Sequence, residues 1–556
     1  MKLLSLGIFA FLSLLVSPSI QAQEDAIKNG LDAITHEAVQ GQLEFLASDW
    51  TRGRGTGDAG IYMAADYIAS MFKVYGLKPG GDYEMIRPSR DEMRMGVRPR
   101  QVKSYFQNFQ LIEYYPGDKQ YFSVISKNGT SSQTLNFTYR TDFSVNTSEV
   151  GIELNAPVVF VGYGLVDKEN KYDDYAGLDV KGKVILRLSG FPGHRDSSSA
   201  AFGKFHPDGP YAAYYLVREK NRVAENKGVA AVIEVTPGGA PSPGWADNIP
   251  FRYNSPYYEG DVPLRERYTR MRIPGDTLRM GTTTISVTMR VANELVEGTG
   301  VRYEEFEEQV QRSMKPASRP LTGKSVYLKT TVISRIIRDR NVIGILEGED
   351  PDKIIVIGGH YDHLGEENGY IWNGSDDNAS GTVGVMTIAK ACMATGVKPK
   401  NTIVFAAWTA EERGLLGSEY FVDHPCVPVE NIHFNLNLDM ISRNAPADTA
   451  ENQATLRYTK AYPELEEMTR SHIERYNLDL DPIFMSMERP SGGSDFASFA
   501  AKEVPILSFN AGFTSDYHQI TDHSSKADIG KMTDIIKVGF LNIWRIANTP
   551  DFRKQE

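Results

Sequence analysis

From "DRNVIGILEG" (339–348) onward the chain alternates apolar strand segments with amphipathic helices, and this alternation constrains the fold more than any other feature. The runs "KIIVIGG", "NTIVFAAWT" and "HFNLNLDMI" are spaced by the helical patterns "ASGTVGVMTIAKACMATG" and "RGLLGSEYFVDH". Strands spaced by helices imply βαβ crossovers, hence an α/β fold with a mostly parallel, mixed sheet and helices on both faces. Two more helical patterns, "AITHEAVQGQLEFLASDW" and "AGIYMAADYIASMFKVYGL", lie near the start, separated by the glycine-rich turn "RGRGTGD". "SYFQNFQLIEYY" then alternates like a strand. These early elements have no sheet of their own, so they are expected to complete the later one. Between 117 and 324 the texture changes to short strands with many turn signals, among them "APVVFVGYGL", "GKVILRLSG" and "GVAAVIEVT", with "YAAYYLVREKNRVAENKG" as a helix. The expected organisation is therefore one α/β domain built from 23–116 and 325–556, carrying a β-rich insertion at 117–324.

At 556 residues the chain exceeds one compact domain, since domains hold roughly 150 residues. Hydrophobic residues at 41% and charged residues at 24% are ordinary for a soluble globular protein. A net charge of −11 argues against a nucleic-acid partner, which needs a clustered basic surface. The basic clusters "RPSRDEMRMGVRPRQVK" and "RERYTRMR" carry interspersed acids and apolar residues and read as solvated loops. At the N-terminus, Lys2 precedes the apolar run Leu3 to Val16, and the small residue Ala22 follows. This reads as a cleavable signal peptide over 1–22, with export to the periplasm or the medium. The run is too short to span a bilayer and no cysteine follows the cut, so no stable membrane anchor is expected. Cys392 and Cys426 are the only cysteines and are expected to be free thiols.

In a wound parallel sheet, active residues gather where strands end at their carboxyl edge. His360 and Asp362 follow "KIIVIGG", Glu411 and Glu412 follow "NTIVFAAWT", and "NLNL" runs into Asp439. "GSDDNASG" supplies Asp376 at a helix start, and "SDYHQITD" places His518 in a late loop. Histidines with carboxylates, and few cysteines, form the donor set of a catalytic zinc site. Side chains alternate along an extended segment, so His360 and Asp362 share a face, with Asp362 placed to hold the His360 ring. By the same rule His363 points away and reads as structural. Adjacent carboxylates at a strand end diverge, so one of Glu411 and Glu412 can bind metal while the other takes a proton from a polarised water.

Assembled in order, "GGHYDHLG", "GSDDNASG", "TAEERGLLGS", "NLNLDM" and "DYHQITD" resemble the five metal-site motifs of the secreted zinc aminopeptidase family that also contains glutamate carboxypeptidases, transferrin receptors and glutaminyl cyclases. "LASDWTRGRGTGDAG" resembles that family's opening segment, and "VVFVGYGL" with "YDDYAGLDVKGKVILRLSG" resembles a protease-associated domain. The resemblance implies a zinc peptidase domain with an inserted protease-associated domain, and two Zn2+ ions per chain bridged by Asp376. One ion would be completed by His360 and Asp439, the other by Glu412 and His518. Glu411 would act as general base, Tyr517 would donate to the developing oxyanion, and a non-proline cis peptide would join Asp376 to Asp377. "SGGSDF" (Ser491 to Phe496) lies where members differ in substrate recognition, and here it offers no obvious charged anchor.

The activity implied is exopeptidase action, foremost removal of the N-terminal residue from peptide substrates. The alternative, a carboxypeptidase of the glutamate carboxypeptidase type, needs an arginine cluster facing the substrate carboxylate, with Arg413, Arg443 and Arg489 as the candidates. A glutaminyl cyclase-like acyltransferase resembles a one-zinc site lacking the first histidine, and His360 is present. A non-catalytic binding protein would have lost ligands, whereas all five positions and the base are intact.

Overall fold

The structure is a computed structural model that describes residues 18–139, 141–146, 150–207, 212–236, 270–276, 282–367, 369–550 and 552. Residues 1–17 of the expected signal peptide and part of "RERYTRMR" lie outside the described residues, and the last five residues of that peptide begin a helix, Pro18–Asp32. Among the described residues, no helix is long and apolar enough to cross a membrane. Cys392 and Cys426 are free.

The chain divides into two compact units, one of Met1–Phe109 with Arg338–Glu556, the other Gln110–Ile337. The second unit reaches past the expected boundary at 324 for a physical reason. Its strand Arg319–Lys329 pairs with Tyr121–Asn128 and Glu153–Phe160, so that segment is committed to the second unit's sheet. That sheet is eight-stranded, in the order 131–137, 121–128, 319–329, 153–160, 184–188, 231–235, 283–287, 143–146. Its core is its own, built on Phe122, Phe160, Leu186, Ile233, Ile285 and Leu328.

The first unit is built on strands β1 (Phe106–Pro116, of which 106–109 belong to this unit), β2 (Val332–Leu346, of which 338–346 belong to it), β3 (Asp350–His360), β4 (Asn401–Trp408), β5 (Ile432–Leu438), β6 (Gln453–Thr459), β7 (Asp481–Met487) and β8 (Ile506–Asn510). They lie in the order β1-β2-β4-β3-β5-β8-β6-β7. "FQNFQL" thus joins the sheet of the later strands. β3 pairs in parallel with β4 and β5, and β5 with β8, while β2 and β6 run antiparallel to their neighbours β4 and β8. Helices α1 (Pro18–Asp32), α2 (His36–Leu46), α3 (Ala59–Tyr75), α4 (Gly381–Ala394), α5 (Leu416–Asp423) and α6 (Ile529–Ala547) belong to the same unit.

The central strands read as continuous apolar runs because both of their faces are covered. Ile355 and Ile357 of β3, with Phe405 and Ala407 of β4, enter a core shared with Val39 and Leu43 of α2, Ile68 and Phe72 of α3, Ile388 of α4 and Ile535 of α6. Their alternates, Val356, Val404 and Trp408, enter a second core with Phe421 of α5, Phe496 and Phe499. Each such burial stabilises by about 1.5–3 kcal/mol. Parallel pairing also brings the carboxyl ends of β3, β4, β5 and β8 to one edge. The basic stretch after Ile86 is more ordered than the expected loop: Tyr83–Ile86 pairs with Arg100–Lys103, and Ser89 and Glu92 form a capping box on the short helix Arg90–Arg94.

Candidate metal centre

Two glycines let the edge close up. A Cβ on Gly359 would lie 2.7 Å from the Leu438 carbonyl oxygen, and one on Gly381 only 2.2 Å from it. β3, β5 and the start of α4 therefore approach as closely as backbone allows. Asn378 staples the same junction, donating to the Leu438 carbonyl (3.0 Å) and accepting from Gly381 and Met440 N–H (2.8 and 3.1 Å). Thr382 adds a bond to the His360 carbonyl (2.7 Å).

At this edge two groups of side chains meet on one carboxylate. His360 Nε2 lies 3.4 Å from Asp377 Oδ1, 3.4 Å from Asp439 Oδ1 and 3.9 Å from Glu411 Oε2. On the other side, His518 Nε2 lies 3.0 Å from Asp377 Oδ2 and 3.3 Å from Glu412 Oε2. His360, Asp377 and Asp439 form one set able to hold a metal ion; His363, Asp377 and Glu412 form a second. Asp439 Oδ1 and Glu412 Oε1 are buried without a hydrogen-bond partner, a cost of about 1–3 kcal/mol each that a cation would relieve. The donor set and these orphaned oxygens fit zinc.

Asp376 does not stand where a bridging ligand was expected. Its Oδ1 accepts from Ser442 N–H and Oγ–H (2.8 and 2.9 Å), and it belongs to neither metal-capable set. Burial, reinforced by the Asp522 charge, pushes its carboxyl up to about 8. Asp377 takes the shared position. The cis peptide is correspondingly Asp377-Asn378, one bond later than expected. The reason lies in the turn: Ser375–Ser380 is not a regular helix start, with non-helical angles at Asp377 and Asn378, and this turns the second aspartate inward.

His363 was read as pointing away, and that too is corrected. The strand ends at His360, so strict alternation stops there. His363 is fully buried, its Nδ1 2.8 Å from Glu412 Oε1 and 3.7 Å from Asp377 Oδ2. Asp362 lies beside the His360 ring, yet Nδ1 of that ring meets the Asp362 backbone carbonyl at 3.2 Å, the carboxylate standing 3.7 Å away. The carboxylate instead receives Glu411 and Glu412 N–H (3.0 and 3.3 Å) and fixes the turn that presents both glutamates. Tyr517 stacks its ring on His518, with centroids 3.8 Å apart.

The environment splits the two glutamates. Burial, opposed by His360, together with the Glu412, Asp495 and Asp439 carboxylates, holds Glu411 well above its ordinary 4.5. Glu412 is equally buried, but His518 and His363 outweigh that penalty and hold it well below. Neighbouring carboxyls held apart in this way can divide into a proton acceptor and a standing anion. Left-handed backbone at Ala410 (φ 56°), Met440 (φ 58°) and His518 (φ 58°) gathers at the same edge, where strain of about 1–3 kcal/mol per residue is commonly stored.

Three residues that the sequence did not mark complete the frame. Arg54, buried within "RGRGTGD", donates to the carbonyls of Tyr361 (2.7 Å), Asn373 (2.7 Å) and Gly374 (2.8 Å), tying the two motif loops together. Asp522 Oδ2 accepts from Asp376 and Asp377 N–H (2.9 and 3.2 Å), while its Oδ1 is held by Arg443 (2.6 Å). Asp495 of "SGGSDF" is fully buried, and burial pushes its carboxyl up to about 7. A buried arginine or aspartate in a glycine-rich stretch carries no periodic signal. Position within the "DYHQITD" motif was the one cue available for Asp522.

Residues 341–540 match the family profile described as "Peptidase family M28". Leucine aminopeptidase 2 of Arthroderma otae (strain ATCC MYA-4605 / CBS 113480) is 32% identical over 196 residues, 34% of this chain and 37% of that protein. A glutamate carboxypeptidase 2 homolog of Caenorhabditis elegans is 27% identical over 384 residues, 64% of this chain and 48% of that protein. The chain thus spans less than half the length of these two curated relatives. Among solved structures, an aminopeptidase from Aneurinibacillus sp. strain AM-1 shares the fold, with a TM-score of 0.53 and 17% identity over 93% of this chain and 95% of that one.

Proposed function

We propose, from the match of residues 341–540 to the profile of peptidase family M28, that the chain is a zinc-dependent exopeptidase that removes the N-terminal residue of peptides. One observation carries the reading: two histidine-carboxylate sets share Asp377, with Glu411 Oε2 beside the first, 3.9 Å from His360 Nε2. His360, Asp377 and Asp439 would hold one ion, and Asp377, Glu412 and His518 the other. Zinc bound there supplies Lewis acidity towards a carbonyl and lowers the pKa of water. Glu411, with its raised affinity for a proton, takes one from the attacking water and returns it to the leaving amine. Asp362 holds the Glu411-Glu412 turn in register through its two N–H bonds. Tyr517, whose ring stacks on His518, would donate to the developing oxyanion.

The carboxypeptidase reading loses one candidate, because Arg443 is buried and committed to Asp522. The charge pattern of residues 1–22 supports export. The strand motifs of the Gln110–Ile337 unit support a protease-associated module. The activity is tested by incubating the protein with matched free and N-acetylated peptides, with and without a chelator, and reading the products by mass spectrometry. Loss of single residues from free peptides, abolished by chelation, is expected. Equal cleavage of the acetylated set would overturn the assignment.

A further inference from the structure

His363, which with Asp377 and Glu412 forms a set able to hold a metal ion, was left out of the two ligand sets proposed for the activity, yet its surroundings are those of a metal donor. Its ring is completely buried, and neither nitrogen has a hydrogen-bond partner. Nδ1 stands 2.8 Å from Glu412 Oε1, but the contact does not have the direction of an N–H···O bond, and Glu412 Oε1 is likewise buried and unbonded. Two buried polar atoms at that distance, neither with a partner of its own, are suited to donate to a common cation. The ring is held by backbone: His363 N–H donates to the Arg54 carbonyl (3.1 Å), and Gly374 leaves the ring its space, since a Cβ there would lie 2.4 Å from it.

Donor spacing supports the same reading. Metal-to-donor distances of about 2.0–2.2 Å in a tetrahedron place the donors themselves about 3.3–3.6 Å apart. Asp377 Oδ2 lies 3.0 Å from His518 Nε2 and 3.7 Å from His363 Nδ1, and Glu412 meets the two rings through different oxygens, Oε1 2.8 Å from His363 Nδ1 and Oε2 3.3 Å from His518 Nε2, all within about 0.5 Å of that range. We infer that His363 Nδ1 is a fourth protein donor at the second metal position, which it closes, leaving the His360 position, with three donors and Glu411 beside it, as the open one. Closed four-donor sites hold structural ions and open three-donor sites do catalysis. The two positions therefore divide the labour: one fixes Asp377 and Glu412, the other meets substrate. This inference rests on the di-zinc reading.

The test compares the full chain with His363→Asn, which leaves a polar amide beside Glu412 but removes the imidazole donor. Zinc retained after graded dialysis against a chelator is measured by elemental analysis. The natural chain should keep one ion well after losing the other, and the variant should lose the tight ion at least about 100-fold more readily, beyond the 10–100-fold typical of an indirect partner. Zinc-edge X-ray absorption on the unmutated two-zinc protein needs no variant, and should find three imidazoles shared by the two ions. Two imidazoles, or unchanged retention in a folded His363→Asn chain, would overturn the role of His363 while leaving the di-zinc reading standing. A natural chain that binds no zinc would instead overturn the underlying reading.

Discussion

At the scale of single residues, the centre turns on which of two adjacent aspartates faces the histidines. Asp377 lies between His360 and His518, whereas Asp376 is spent on Ser442. Asp377→Asn should therefore leave little zinc in the purified protein and lower kcat/KM by at least about 1000-fold, while Asp376→Asn, which keeps an acceptor for Ser442, should retain zinc and stay within about tenfold. Zinc analysis of the two variants checks this, and the reverse ranking would restore Asp376 as the bridge. Glu411→Gln should lower kcat by about 100- to 10,000-fold, the usual worth of a general base, with the zinc content unchanged. Loss of metal in that variant would make Glu411 a ligand instead. The ligand types and their strand-end places were legible in the sequence, because β3, β4 and β5 are apolar runs that stop abruptly at His360, Trp408 and Leu438. The choice within "SDDN" was not legible, since a turn with non-helical angles obeys no period. His363 was misread for the same reason: alternation was carried past the end of its strand.

At the scale of elements, helix α6 is tied to the centre by a buried ion pair. Lys531 Nζ donates to Asp448 Oδ2 (2.7 Å), Asn444 Oδ1 (3.0 Å) and the Arg443 carbonyl (3.2 Å). Arg443 in turn holds Asp522, and Asp522 holds the Asp377 N–H. Lys531→Met strands Asp448 as a buried, uncompensated charge, and should lower the unfolding free energy by about 3–5 kcal/mol at pH 7 in denaturant titrations. The pH dependence follows from Asp448: burial alone would raise its pKa, but Lys531 and the Gln453 and Asn452 N–H groups hold it below its ordinary 3.8. A depressed carboxyl stabilises fully above its unfolded value and loses that contribution as pH falls through the folded one. The gap between natural and variant chains should hold steady from about pH 5 to 8 and shrink below about pH 3.5. A gap that grows on acidification would refute the pairing. Helices α2 to α5 were legible from their 3.6-residue pattern, whereas α6 was not read from the sequence. The tether was not, because a lysine on a helix reads as solvent-facing until the loop that covers it is known.

At the scale of the whole molecule, the two units differ in what holds them. Gln110–Ile337 has its own apolar core, and among the described residues the side-chain groups able to hold a metal ion all lie in the other unit. There, Asp377, Glu411, Glu412 and Asp439 crowd one buried edge, and an ion that binds the folded state alone stabilises it by about 4 kcal/mol at a thousandfold excess over its Kd. For a unit of this size that corresponds to a shift in melting of at least about 5 °C. Differential scanning calorimetry with and without a chelator should therefore show a transition that falls on metal removal and is restored by zinc. A second transition, assigned to Gln110–Ile337 by limited proteolysis before and after it, should stay in place. If chelation moved neither transition, the buried carboxylates would have to be stabilised without metal. If it moved both equally, the inserted unit would draw its stability from the centre and not from its own core.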